Sequence, residues 1–136
     1  MRYFLFTIMT AISANSLADH TLSEFEGEWY SSIFPQSTRY MFYGLQAAGK
    51  LQYVIRHVRP TPNGECVGSG IINLSSGHVR TVEVCPSRDG NPVNDSAFFA
   101  VWQLANEHGD LHLKGGYYGQ GSATFHEENL DKEPHR

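Results

Sequence analysis

Apolar positions along this chain do not recur at helical spacing over any long stretch. They fall instead into short runs rich in β-branched and aromatic residues, separated by clusters of Gly, Pro, Asn and Ser. Such punctuation is the signature of an all-β sandwich or barrel. The runs span residues 28–34, 39–45, 51–59, 66–73, 78–85, 97–105, 111–118 and 123–127. Turn-forming stretches such as Pro60-Thr61-Pro62-Asn63-Gly64 and Ser75-Ser76-Gly77 lie between them, and the longest connection is 86–96. Short loops make sequence neighbours pair. An eight-stranded antiparallel up-and-down meander can close on itself, removing its edges and leaving room for side chains or one small ligand. The expected fold is therefore all-β, a closed meander barrel, with a two-sheet sandwich as the structural alternative.

The two cysteines test this layout. A hairpin formed by the fourth and fifth runs would have its midpoint between Ser75 and Ser76. Cys66 and Cys85 are equidistant from that point, so they should face each other across the hairpin and form a disulfide. Closing so short a loop stabilises by about 3 kcal/mol in the chain-entropy model.

Composition then adds the compartment. Arg2, the apolar run from Tyr3 to Ile12 and the small-residue exit Ser16-Leu17-Ala18 have the form of a secretory signal peptide. The reading divides the chain into a signal over 1–18, a barrel domain over 19–127 and a loose polar tail over 128–136. An even cysteine pair fits an exported, periplasmic or extracellular protein. Net charge is −4, and basic residues do not cluster, which argues against a nucleic-acid partner. No apolar run reaches the roughly 20 residues of a membrane-spanning helix. Asn73-Leu74-Ser75 and Asn94-Asp95-Ser96 match the N-glycosylation pattern, which matters only in a host that uses it.

At the start of the first run stands Gly27-Glu28-Trp29-Tyr30, preceded by Thr21-Leu22-Ser23-Glu24, a capping-box sequence for one turn of helix. This arrangement resembles the Gly-x-Trp motif of lipocalins and their calycin relatives, which include the avidins. The resemblance implies an eight-stranded barrel whose glycine lets the chain bend in beneath it and whose tryptophan plugs the closed end. There are departures. No Thr-Asp-Tyr-like turn is present, and the last run lacks the arginine that lipocalins pack onto the tryptophan, leaving Lys114 as the nearest basic residue. No avidin ligand pattern is recognisable, so no ligand residues carry over.

With Trp29 inward, strict alternation places Ser31 and Ile33 inside as well, groups Leu51, Tyr53, Ile55 and His57 on one face, and groups Phe98, Ala100, Trp102 and Leu104 on another. Trp29, Tyr53, Ile55, Phe98 and Trp102 are the expected ligand-binding residues of an apolar interior, unless side chains fill it completely. Tyr40, Phe42, Phe99 and Val101 are alternatives for the interior. An apolar outer face would suit self-association or a protein partner. His112 and His126 could meet across the last hairpin, but no third ligand has a metal-site spacing, and no metal or cofactor is expected.

No serine elbow, free thiol or phosphate loop is present, so no enzyme is expected. Glu83 could be an interior acid or a solvent-facing residue. The leading expectation is an exported non-catalytic barrel that binds a small apolar or aromatic ligand. The alternative is a proteinaceous inhibitor of a secreted or cell-wall hydrolase, acting through loop 86–96 or the N-terminal segment.

Overall fold

The computed structural model describes residues 20–33 and 39–132. The signal expected over residues 1–18 lies outside them, as do residues 34 and 133–136. A one-turn helix α1 (Leu22–Phe25) precedes β1 (Gly27–Ser31), β2 (Arg39–Gly49), β3 (Gln52–Thr61), β4 (Gly64–Asn73) and β5 (His78–Cys85). A 3₁₀ turn (Pro92–Asn94), β6 (Ser96–Glu107), β7 (Asp110–Gly119), β8 (Phe125–Glu127) and β9 (Leu130–Asp131) follow. Strands β1 to β7 pair in sequence order, all antiparallel. Segments β8 and β9 both run along β7 and are two halves of one stave, interrupted at Glu128-Asn129. Because β9 also pairs with β1, through Tyr30 opposite Asp131 and Ser31 opposite Leu130, the sheet closes. The result is an eight-stranded up-and-down barrel rather than a sandwich.

Closure corrects the expected boundary at Glu127. Leu130 is fully buried and Asp131 nearly so, which makes residues 128–132 part of the barrel and not of a tail. The hairpin of β4 and β5 has the anticipated register, from Val67 opposite Val84 to Ile72 opposite Val79. One step further along, Cys66 and Cys85 form the disulfide, with Cα atoms 4.2 Å apart. Leu51 belongs to the turn before β3, where it adopts a φ of 62°.

Alternation sorts the side chains between inside and outside. Trp29 and Ser31 point inward and are fully buried, but β1 ends at Ser31, so Ile33 is 56% exposed rather than interior. Tyr40 and Phe42 join the interior, whereas Phe99 faces out beside Val67, Ile71, Val82 and Val84. One end of the barrel is packed with Phe25, Trp29, Phe42, Ile55, Ile72, Trp102, Leu113 and Leu130. Gly27, at φ 120°, turns the chain from α1 into β1 beneath that end. The Trp29 indole N–H donates to the Phe25 carbonyl at 2.8 Å.

The cation against Trp29 is Lys132, not Lys114. Its ammonium lies 5.5 Å from the ring centroid and donates to the Ser23 and Glu24 carbonyls at 2.7 and 2.8 Å. Lys114 points away from the core and pairs with Glu107 at the surface.

Candidate ligand-binding site

At the other end the interior is polar. Pairing sets Phe42, His57, Gly68, Glu83 and Phe98 side by side in one row across β2 to β6. Gly68 supplies no side chain to that row, and His57 on β3 reaches across the gap to Glu83 on β5, with Nε2 2.9 Å from Oε2. A Cβ at Gly68 would lie 2.3 Å from His57 Cε1, so no larger residue fits there. The neighbouring row holds Arg59 opposite Cys66. Arg59 grips Glu83 through Nε at 3.1 Å and Nη2 at 2.6 Å, with Nη2 also 3.2 Å from the Cys85 sulfur. Its guanidinium lies 5.5 Å from the centre of the Tyr40 ring.

These contacts set the charges. Burial alone would raise the Glu83 carboxyl, but hydrogen bonds from His57 and Arg59, and the charge of Arg59, hold it below the ordinary carboxylate range. Burial likewise pulls Arg59 down, and Glu83 with the neighbouring acidic groups outweighs it, so the guanidinium stays firmly charged. A carboxylate beside His57 Nε2 selects the tautomer with hydrogen on that nitrogen. Nδ1 of His57 is then left as a buried atom without a partner among the described residues.

Glu128 touches this network through Tyr40 and, among the described residues, shares no hydrogen bond with Arg59 or His57. It sits in the interruption between β8 and β9, two residues before buried Leu130, and alternation turns its side chain inward. Its backbone is pinned on both sides: the N–H donates to Gly115 O at 2.9 Å and the carbonyl accepts from the Trp102 indole at 3.0 Å. The Gly115 N–H, left over at the break, is taken by Asn129 Oδ1 at 3.0 Å. Among the described residues the Glu128 carboxyl itself accepts from the Tyr40 and Ser31 hydroxyls alone, each at 3.3 Å. That is long for an O–H···O bond, which prefers 2.5–3.0 Å. Burial, offset only in part by these bonds and by the charge of Arg59, holds the carboxyl above its usual range. Burial also pushes the Tyr40 phenol well up, with Glu83 and Glu128 adding to it.

Between these groups lies a cavity of about 320 Å³ lined by Tyr40, Arg59, Thr81, Glu83, Phe98, Ala100, Tyr117 and Glu128. Of the expected ligand-binding residues, only Phe98 lines it. Trp29, Ile55 and Trp102 belong to the packed core, and Tyr53 packs against that core from its edge. Alternation placed them on the inner face but gave no axial position, and the filled and empty ends of the barrel differ along the axis. Glu128 was missed because it fell in the presumed tail. Arg59 and Glu83 do lie on inward positions of their strands, a signal that charge alone obscured.

Other expected chemistry falls elsewhere. His112 faces Asp131, with Nδ1 2.5 Å from Oδ1, while His126 stacks on Tyr117, so the two histidines do not meet. The register is the same on both sides of the break, with Tyr117 opposite His126 and His112 opposite Asp131, because the turn of the last hairpin is centred beyond Gly119-Gln120-Gly121. Among the described residues, the one group with metal-ligand spacing is Cys66, Glu83 and Cys85, but its sulfurs are bonded to each other and offer no thiolate. Loop 86–95 is braced from within. Asp89 accepts from Ser87 Oγ, Asn91 N and Asn94 Nδ2 at 2.7–2.9 Å, and Asp95 accepts from Ser87 N at 3.0 Å. Val93 stands 87% exposed at its crest. No protein-family model, curated protein or solved structure matches the chain.

Proposed function

We propose that this barrel is an exported, non-catalytic binding protein for a small molecule with an aromatic or apolar body. The observation that carries the reading is the asymmetry of the interior: one end is packed solid, while the other keeps a cavity of about 320 Å³. That volume sits at the small end of the range for ligand pockets. Tyr40, Phe98, Ala100 and Tyr117 offer apolar and aromatic walls, and a few convergent polar groups can fix the orientation of a guest. The resemblance to lipocalins belongs to the same reading, supported by Trp29 closing the packed end under a cation. The disulfide supports export.

A cavity-filling variant tests it. The neutral fluorophore N-phenyl-1-naphthylamine should brighten on adding the protein, and Ala100→Phe should remove that signal while the melting transition survives. Equal brightening with the variant would place the probe on the outer apolar face and remove the cavity from the account.

One observation favours a second reading, inhibition of a secreted hydrolase by loop 86–95. The loop is pre-organised by its own hydrogen bonds and follows directly on the disulfide at Cys85, which lowers the ordering cost of docking. Val93→Asp should abolish inhibition of a target hydrolase without lowering stability. Retained inhibition would exclude the crest of the loop from the contact.

A further inference from the structure

We infer that the cavity selects organic cations: an amine in its protonated form, on an aromatic or apolar body, with the ammonium group seated against Glu128. This inference rests on the binding reading above and specifies its ligand class.

Two of the charges at the cavity are paired with each other and one is not. Arg59, Glu83 and Glu128 are the charged residues that line the cavity. Arg59 and Glu83 pair through hydrogen bonds of 3.1 and 2.6 Å, and His57 donates to the same carboxylate. Among the described residues a guest anion would therefore find one lining cation, already engaged with Glu83 through Nε and Nη2, and two carboxylates facing it. Glu128 feels the charge of Arg59 but, among the described residues, has no cation in direct contact. Its two hydroxyl donors stand at 3.3 Å, so a buried acceptor with several lone pairs is poorly served. A buried carboxylate in that position gains most from a charge-assisted donor, and a primary ammonium brings three.

The walls point the same way. Tyr40 and Tyr117 bracket the cavity with Phe98, and the Phe98 and Tyr117 rings meet edge to face at 5.8 Å. Aromatic faces attract a cation through their quadrupoles and pack against an apolar body. Burial holds the Glu128 carboxyl above its usual range although the Tyr40 and Ser31 hydroxyls and the charge of Arg59 pull it down, so a cation in direct contact has charge left to match.

Three probes of one shape separate the possibilities. 2-Phenylethylamine, 2-phenylethanol and phenylacetate share a ring and a two-atom arm, and carry a positive, neutral and negative head. NMR titrations of the full disulfide-bonded chain should show the amine binding at least tenfold tighter than the alcohol, with phenylacetate weakest. In Glu128→Gln the amine should fall to the level of the alcohol measured on the same variant. Equal binding of amine and alcohol, a preference for phenylacetate, or an amine preference that survives in Glu128→Gln would overturn the cation inference and leave the binding barrel standing. If none of the three shifts the signals of cavity residues, both the inference and the binding reading fall. The comparison on the unaltered chain decides the matter even if the variant proves unstable.

Discussion

His57 and Glu83 meet across a strand that contributes nothing between them. Their side chains belong to β3 and β5, and the 2.9 Å bond passes over Gly68 of β4. Gly68→Ala should break this contact, because the added methyl collides with the imidazole ring at its centre of contact. Overpacking and disruption of a buried polar pair together predict a loss of about 2–4 kcal/mol in urea unfolding. A stability within a few tenths of a kcal/mol of the parent would show that the row can relax.

Acid should expose the role of Glu83. Its folded pKa lies below the unfolded one, so the stability it contributes is present above the ordinary carboxylate range and is lost as pH falls through the folded value. Glu83→Gln should be less stable at neutral pH, since Arg59 loses its partner, and its stability should decline less on acidification. An acid limb identical to that of the parent would assign the loss to other carboxylates.

Glu128 should behave in the opposite sense. Its folded pKa is raised, so the folded state binds the proton more tightly and stability increases as pH falls through that folded value toward the unfolded one. Glu128→Gln should therefore gain roughly 0.5–2 kcal/mol at neutral pH, the usual scale of relieving a functional strain. A clear loss in urea unfolding at neutral pH would mean that the carboxylate supports the fold rather than a ligand.

The sequence made the barrel legible because its strands alternate cleanly and its turns are short. In β5, Val79, Thr81, Glu83 and Cys85 are buried while His78, Arg80, Val82 and Val84 are not as deeply placed, the period-two pattern in its plainest form. The cysteine register followed from counting alone. What remained hidden was of two kinds. Leu130-Asp131 is too short and too polar in its surroundings to read as a strand, yet it closes the sheet. The site itself is built from Arg59, Glu83 and Glu128, and burying charge is physically costly unless tertiary partners are known. Trp102, by contrast, looked like a wall of the pocket because it is large and inward-facing.

Trp102 turns out to brace the site from the core. At 2% exposure, with its indole N–H on the Glu128 carbonyl, Trp102→Ala should cost about 3–5 kcal/mol rather than leave the fold intact. Trp102→Phe should recover much of that stability and still lose the hydrogen bond. Near-parental denaturation of the alanine variant would contradict its place in the core.

The central claim is that a small molecule occupies the polar end of the barrel. Intermolecular NOEs from 2-phenylethylamine to the isotope-labelled protein test it most directly. The account predicts contacts from the ring protons to the Ala100 methyl and to the Phe98 and Tyr117 rings, which line the cavity. Contacts confined to Val82, Val84 and Phe99 on the outer face, or none to the barrel interior, would contradict it.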